Sequence, residues 1–300
     1  MPAAAAPLTA TIEFTLPASR LDHDPAIYLT YDADRSRPSE ALRVEVVNLR
    51  DELEDAKSPA TIDTVAKQLH DRGFAVAKHA SNHLGGIPSV EGTQAYLDET
   101  AALLKSILGC TRVIAWNSVC RKNAPGLAHK DVPRQQEPEK GFVPSERQQP
   151  VASIAHVDQD EVWGAELVGK AAKAPASSFA RAQIVNLWRP LSGPVTNAPL
   201  AMLPYSEILP GEISKHGSMF GVGMDIHHGK GQNWGYIRHQ MPDEVVFLKC
   251  FDTAQGADGS ALYCGHVAVK VDNDADGIAP ELVVPRESIE VRLVALWEKE

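Results

Sequence analysis

Two histidine–aspartate pairs in this chain have the spacing of metal ligands on a β-strand. His129 and Asp131 are two residues apart, and so are His156 and Asp158. Residues two apart on a strand point to the same face, so an imidazole and a carboxylate can bind one ion from these positions. Such a short pattern also recurs by chance, and the surrounding residues therefore decide between the two pairs.

The sequence around each pair favours the second one. His129 and Asp131 lie in a stretch crowded with charged residues, proline and glutamine, whereas His156 and Asp158 end the apolar run 151–155. An apolar run of this length predicts a strand, which would place the pair at the rim of a barrel. We therefore take His156 and Asp158 as the ligand pair.

A facial triad for non-haem iron needs a second histidine, which must come from a distant strand. His266 is the strongest candidate because it lies inside a strand-like apolar run. His239 stands in a turn-like segment before a proline, and His227 and His228 lie in the Gly- and Lys-rich segment 221–233, which predicts a flexible loop. A histidine that only packs in the core is the alternative interpretation of His266.

A strand with charged residues on one face follows the third candidate ligand. Arg286, Ser288, Glu290 and Arg292 alternate with apolar residues, so the period of two places them together. A guanidinium group suits bidentate binding of a carboxylate, and a dicarboxylate such as 2-oxoglutarate would need this anchor while its keto-acid end chelates iron. Arg286 ranks first for the distal carboxylate because Ser288 can add a hydrogen bond, and Arg292 is the other candidate. An arginine–carboxylate network on an exposed sheet face is the alternative.

Short apolar runs after position 110 predict the core of the fold. They follow one another with little intervening helix, which is typical of an antiparallel sandwich or barrel. Two amphipathic patterns predict helices over 58–72 and 94–108. We predict one α+β domain over residues 1–300, with an N-terminal α/β elaboration over 1–110 and a double-stranded β-helix, or jelly-roll, core over 111–300. The predicted strands span residues 10–16, 41–49, 74–78, 111–120, 151–157, 183–190, 244–251, 261–271 and 288–297.

Residues 122–150 are crowded with Lys, Arg, Pro, Gln and Glu and contain almost no β-branched apolar residues. This composition predicts a long loop. The loop directly precedes the predicted metal-binding strand, so we expect it to form a lid or pocket rim that excludes water from an open iron position.

The composition of the chain excludes several classes of protein. Its 300 residues are 44% hydrophobic and 23% charged, as in ordinary globular proteins. The net charge of −10 disfavours a nucleic-acid partner, and no apolar run approaches the roughly 18–20 residues of a membrane helix. The N-terminus does not have the pattern of a signal peptide, so we expect a cytoplasmic protein. The cysteines, which form no C-x-x-C pair and predict buried reduced thiols, are Cys110, Cys120, Cys250 and Cys264.

Several segments of the chain resemble the Fe(II)/2-oxoglutarate-dependent oxygenase superfamily. The order His-x-Asp, distal His and Arg-x-Ser carries this resemblance. The C-terminal half resembles in particular the hydroxylase/desaturase family of secondary metabolism that includes gibberellin desaturase and asperfuranone-pathway oxygenases. The resemblance runs from about Phe74 to Trp297. The matching segments are residues 186–191, 193–195, 199–201, 234–236, 243–245, 249–252 and 285–292.

The resemblance implies a jelly-roll fold, Fe(II) held by His156, Asp158 and His266, and 2-oxoglutarate held by Arg286 or Arg292. It implies an enzyme that uses O2 to hydroxylate or desaturate a small organic substrate and releases succinate and CO2. Two alternatives remain open from the residues alone. One is a cupin-type non-haem iron oxygenase that does not use 2-oxoglutarate, and the other is a non-catalytic jelly-roll protein that binds a small molecule.

Overall fold

Strands dominate the computed structural model, which describes residues 7–24, 26, 37–54, 62–127, 148–218 and 221–299. The strands are β1 (Thr9–Thr15), β2 (Ser39–Asn48), β3 (Phe74–Lys78), β4 (Arg112–Lys122), β5 (Gln148–Gln149), β6 (His156–Val157), β7 (Arg181–Pro190), β8 (Leu200–Leu203), β9 (Ile213–Ser218), β10 (Gly221–Ile226), β11 (Trp234–Tyr236), β12 (Glu244–Asp252), β13 (Gly265–Ala268), β14 (Lys270–Val271) and β15 (Glu287–Trp297). The helices are α1 (Arg50–Glu54), α2 (Ile62–Arg72), α3 (Val90–Leu108) and α4 (Glu161–Ala172).

One sheet has six strands in the order β3-β12-β7-β15-β4-β5. Its neighbours are antiparallel except for β4 and β5, which run parallel. The central strands β12, β7 and β15 are almost wholly buried, as their long apolar runs predict. On β15 the side chains of Ile289, Val291 and Leu293 pack with α2 and α3 on one face. The alternation predicted for this strand is confirmed.

Helix α3 covers that face, and one capping residue terminates it at each end. The Ser89 hydroxyl accepts a hydrogen bond from the Gly92 amide at 3.2 Å and so caps the N-terminus. Gly109 ends the helix with φ at 60°, a left-handed conformation that costs glycine little. Buried Leu97 and Leu104 lie on the side of α3 that meets the sheet.

The second sheet has nine strands in the order β14-β1-β2-β11-β8-β13-β6-β10-β9. It curls, since the Ala155 amide just before β6 reaches the Glu13 carbonyl of β1 with a 2.9 Å hydrogen bond although β1 and β6 are not neighbours in the strand order. An apolar cluster that includes Phe14, Val157 and Val267 lies on one face of this sheet. The residues that alternate with this cluster on β6 and β13 point to the other face, toward the six-stranded sheet.

Several boundaries differ from the sequence predictions for identifiable reasons. The segment 221–233, which predicted a flexible loop, contains β10, and this strand pairs with both β9 and β6. The predicted strand over 151–157 is regular only at His156–Val157. The residues before it form backbone hydrogen bonds with several different segments and so do not continue one strand pair. The run 261–271 divides into β13 and β14. Helix α4 was not predicted.

The predicted division of the chain near position 110 stays a prediction. Strands from before this position belong to both sheets, since β1 and β2 lie in the nine-stranded sheet and β3 lies in the six-stranded one. The expected lid over 122–150 also stays a prediction, because residues 128–147 lie outside the described residues. The segments on either side of them meet, since β5 pairs with β4.

All four cysteines are buried and unbridged, as expected. No helix in the described part of the chain has the length and apolar character needed to cross a membrane.

A buried arginine ties three elements together at one end of the six-stranded sheet. The Arg189 side chain on β7 is fully buried. Its Nε donates to the Tyr96 hydroxyl of α3 at 2.7 Å, and its Nη1 donates to the carbonyls of His79 and Pro242 at 2.6 Å each. Removing the guanidinium would leave buried acceptors without donors, which is costly.

We therefore expect Arg189→Met to lower the free energy of unfolding by about 3 kcal/mol. The control is Arg43→Met, because the Arg43 side chain is 69% exposed and pairs with Asp272 at the surface; it should cost about 1 kcal/mol or less. Urea-induced unfolding followed by circular dichroism measures both. Equal losses in the two variants would contradict the bracing role of Arg189.

Candidate metal centre

Strand pairing brings the two predicted histidine ligands together. His156 on β6 and His266 on β13 are direct partners in the antiparallel register. Their imidazole centroids lie 4.4 Å apart. Asp158 lies two residues after His156, in the short connection between β6 and α4. The H-x-D spacing therefore places a carboxylate beside two adjacent imidazoles, whose ring planes are tilted by 56°.

The ligand atoms of these three residues are close enough to share one ion. Asp158 Oδ1 lies 3.4 Å from His156 Nε2 and 3.8 Å from His266 Nε2, and all three ligand atoms lie within 4.8 Å of one another. Two atoms bound to one first-row metal at about 2.0–2.2 Å can be separated by at most about 4.4 Å. Both separations from Asp158 are within this limit.

Backbone carbonyls orient the two imidazole rings. His156 Nδ1 lies 2.7 Å from the Ile154 carbonyl oxygen, and His266 Nδ1 lies 3.5 Å from that of Cys264. A carbonyl oxygen only accepts hydrogen bonds, so Nδ1 carries the proton in each neutral ring and Nε2 keeps a free lone pair. Metal-binding histidines in proteins are oriented in this manner. The donor set of two Nε2 atoms and one carboxylate therefore fits Fe(II).

Charges around Asp158 keep it ionised despite its burial. Burial alone would raise the pKa of Asp158, but Arg292 and hydrogen bonds with His156 and His266 hold it well below its usual value. Burial opposes a charge on His266 as well, yet the contact with Asp158 raises the pKa of His266 to about 10. The raised pKa means that the His266 imidazole holds a proton next to Asp158. A bound metal ion would replace this proton as the positive charge between Asp158 and the imidazoles.

The predicted arginine strand lies on the same side of the six-stranded sheet as this cluster. Arg292 Nε is 3.4 Å from Asp158 Oδ2 and 3.2 Å from Glu290 Oε1. The exposed fractions of Arg286, Ser288 and Glu290 are 3%, 1% and 6%. An arginine–carboxylate pair is present, but the face that carries it is buried, so the alternative of an exposed network is wrong.

Arg286 has no anionic partner among the described residues. Its Nη1 donates to the Ala198 carbonyl at 2.5 Å, and its guanidinium lies over the Trp188 ring at 5.4 Å. Within the described part of the chain, Arg286 Nε and Ser288 Oγ are buried without a hydrogen-bond partner. Burial, together with the nearby Arg121 guanidinium, lowers the pKa of Arg286 to about 9. A buried cation with free donors fits a ligand that supplies a carboxylate.

Two further polar residues, one buried and one partly buried, lie beside the site, and sequence reasoning gave neither a role there. Asn186 on β7 is fully buried, and its Nδ2 donates to Asp158 Oδ2 at 2.7 Å and to Glu290 Oε1 at 3.0 Å. Arg121 on β4 is the register partner of Ser288. An asparagine inside an otherwise apolar buried strand is the signal that would have identified Asn186, because buried amides need partners.

The other histidine candidates lie away from the cluster. His239 Nε2 lies 2.5 Å from the Asp274 carbonyl oxygen, and His227 Nδ1 lies 2.8 Å from the Thr15 carbonyl oxygen. In each of these two histidines, one ring nitrogen therefore forms a hydrogen bond with a backbone carbonyl. The first H-x-D pair, His129 with Asp131, lies outside the described residues.

Comparison with known proteins places the chain among oxidoreductases. The family model described as oxidoreductase/YMDC permease-like domain matches residues 23–296. Aspirochlorine biosynthesis protein N of Aspergillus oryzae is 34% identical over 126 residues, which cover 40% of this chain and 50% of that protein. This chain therefore spans half the length of that relative.

Two further relatives match over longer segments. Hydroxylase/desaturase efuI of Hormonema carpetanum is 28% identical over 222 residues, covering 68% of this chain and 70% of that protein. The Fe(II)/2-oxoglutarate-dependent dioxygenase nvfI of Aspergillus novofumigatus is 26% identical over 212 residues, covering 68% of this chain and 66% of that protein.

A solved structure shares the fold. The iron and alpha-ketoglutarate-dependent endoperoxidase NvfI aligns with a TM-score of 0.70 and 19% identity, over 97% of this chain and 98% of that chain. At this level of identity the likeness concerns the arrangement of the two sheets.

Removing one ligand should abolish tight metal binding. We expect His266→Ala to weaken binding of Co(II), used as a stable probe, by at least about a hundredfold, because the ion would lose one of its three protein ligands. Calorimetric titration of the purified protein measures this. His239→Ala is the matched control and should bind Co(II) as the wild type does, since His239 lies outside the cluster. Equal affinities for the two variants would contradict the site.

Proposed function

The chain belongs to the oxidoreductase/YMDC permease-like domain family, and on that premise we propose that it is an Fe(II)/2-oxoglutarate-dependent oxygenase. Its reaction would hydroxylate or desaturate a small organic molecule of secondary metabolism and would convert 2-oxoglutarate and O2 to succinate and CO2. The printed names of efuI and nvfI support this reaction class. The observation that carries the proposal is a three-residue ligand cluster beside a buried arginine that has no anionic partner among the described residues.

The two facing sheets form a double-stranded β-helix in this proposal. The antiparallel pairing of their strands and the alignment with NvfI over nearly the whole chain support this assignment. In it, β6 with the residues after it and β13 supply the metal ligands from one sheet, and β15 with the residue before it supplies the arginines from the other. The site therefore lies between the sheets, where the side chains of His156 and Asp158 are only 18% and 10% exposed.

His156, Asp158 and His266 hold the metal on one side. Three protein ligands leave coordination positions open for a co-substrate and for O2. Bound iron supplies the redox chemistry that couples decarboxylation of 2-oxoglutarate to oxidation of the substrate. The protein orients the two imidazoles through their Nδ1 atoms and keeps Asp158 anionic through Arg292.

Arg286 binds the distal carboxylate of 2-oxoglutarate, and Ser288 adds a hydroxyl hydrogen bond. Both have buried polar atoms without partners in the described part of the chain, and a carboxylate would satisfy them. Arg292 lies at the metal end, where its Nε is near Asp158. The two arginines thus act at different ends of the co-substrate.

The alternatives explain fewer of these features. In a cupin-type oxygenase that does not use 2-oxoglutarate, Arg286 would be structural or would bind a substrate carboxylate, and no salt bridge to a described carboxylate supports the structural role. A protein that only binds a small molecule has no use for three convergent ligand atoms. The net charge of −10 supports a small-molecule partner over a nucleic acid. The four unbridged cysteines support a location in the cytoplasm.

Turnover of the co-substrate tests the reaction class. The purified protein with Fe(II), O2 and 2-oxoglutarate should release succinate, which chromatography detects, and the His266→Ala variant should release none above background. Substrate oxidation that proceeds without 2-oxoglutarate would contradict this class and favour the cupin-type alternative.

Arg286→Ala tests the co-substrate site separately from the metal site. Loss of a charge-assisted bidentate contact costs about 2–4 kcal/mol, so the 2-oxoglutarate concentration needed for half-maximal succinate release should rise about thirty- to several-hundredfold. Co(II) binding should be unchanged.

The control for this variant is Arg112→Ala, which removes a half-exposed arginine from β4. It should leave the 2-oxoglutarate requirement unchanged. If Arg292→Ala shows the large increase and Arg286→Ala does not, the ranking of the two arginines is wrong. If neither variant changes the requirement, the co-substrate assignment fails.

A further inference from the structure

The two oxygens of the Asp158 carboxylate have different surroundings. Oδ1 faces the Nε2 atoms of His156 and His266. Oδ2 points away from them, where it accepts a 2.7 Å hydrogen bond from Asn186 Nδ2 and lies 3.4 Å from Arg292 Nε. A carboxylate with one oxygen held in this manner can offer only the other oxygen to a metal ion.

Asn186 reaches this carboxylate from the opposite sheet. It lies on β7 of the six-stranded sheet, whereas Asp158 follows β6 of the nine-stranded sheet, so their hydrogen bond connects the two layers. Asn186 uses both N–H bonds of its amide nitrogen, because Nδ2 also donates to Glu290 Oε1 at 3.0 Å. Rotation of the amide by 180° would place its oxygen against two carboxylates. The two acceptors therefore fix its orientation.

Glu290 balances the charge of Arg292. Its Oε1 lies 3.2 Å from Arg292 Nε and also accepts from Asn186. Arg292 is thus shared between two carboxylates and is not paired with Asp158 alone. Without the negative charge of Glu290, the Arg292 guanidinium would interact more strongly with the Asp158 carboxylate. Asp158 would then be a weaker ligand for a metal ion.

We propose that Asn186 and Glu290 are positioning residues for the metal ligand Asp158. Asn186 holds Oδ2 so that Oδ1 alone faces the ion, and Glu290 shares Arg292 so that the guanidinium offsets less of the negative charge that Asp158 presents to the ion. This inference rests on the proposed metal site. Asn186 would set which oxygen of Asp158 faces the ion, and Glu290 would set how strongly Asp158 attracts the ion. The two residues can be substituted one at a time.

Co(II) is the probe for both roles, because its visible spectrum reports coordination number and its titration reports affinity. Asn186→Leu keeps the branched side-chain shape and the number of heavy atoms but removes the donor to Oδ2. The carboxylate can then turn and bind through both oxygens. We expect Co(II) affinity to fall about ten- to a hundredfold, as for other residues that orient metal ligands, and the visible spectrum to change in shape and intensity.

Glu290→Gln keeps an acceptor for Asn186 and removes only the charge. We expect Co(II) affinity to fall by about tenfold, at the lower end of the same range, while the spectrum keeps the wild-type shape. The matched control is Gln183→Leu, which removes another buried amide from β7, the strand of Asn186. The Gln183 amide donates a 2.7 Å hydrogen bond to Asp252 and takes no part in the ligand cluster. It should keep both wild-type affinity and wild-type spectrum.

The outcomes separate this proposal from the metal site itself. If the wild-type protein does not bind Co(II), the metal site fails. If the wild type binds it but a folded Asn186→Leu protein has unchanged affinity and spectrum, the positioning role of Asn186 is overturned. Should Asn186→Leu not fold, Glu290→Gln decides, and unchanged Co(II) affinity in that variant would overturn the proposal.

Discussion

Burial of several charged side chains between two sheets is the constraint on which this structure depends. A charge removed from water must be paired or hydrogen-bonded, because an isolated buried ion is very costly. Asp158 and Glu290 meet this requirement by sharing Arg292 and Asn186. Arg286 does not meet it with any carboxylate in the described part of the chain. Among the described residues, the interior therefore contains a guanidinium without an ion-pair partner, which supports the proposal that a ligand carboxylate binds it.

The apolar framework makes this arrangement possible. On strand β15, Ile289 and Val291 pack under the helices, whereas Glu290 lies on the inner face together with Arg286, which directly precedes the strand. The nine-stranded sheet follows the same pattern, since Val267 packs in its curl while the neighbouring His266 faces the site. Each chemical group is thus next in sequence to a buried anchor, which limits its freedom to move.

The parts of the site that could be predicted are those that local patterns encode. Period-two alternation identified the inner face of β15, and an apolar run identified the strand that carries His266. The role of Asn186 could not be predicted in this way, because its partners Asp158 and Glu290 are 28 and 104 residues away in the chain. The segment 221–233 was misjudged because its glycines and lysines obscure β10, whose pairing with β6 is a tertiary contact. The curl of the nine-stranded sheet brings Glu13 and Ala155 into contact across the chain, which no local pattern encodes.

The central claim is that one site between the two sheets binds a metal through His156, Asp158 and His266 and a dicarboxylate through Arg286. Anaerobic titration of the Fe(II)-loaded wild-type protein with 2-oxoglutarate tests it most directly, because chelation of iron by the keto-acid end produces a weak visible charge-transfer band. We predict that this band appears and saturates at one equivalent of 2-oxoglutarate per iron. Tight binding of Fe(II) with no band at any 2-oxoglutarate concentration would contradict the claim.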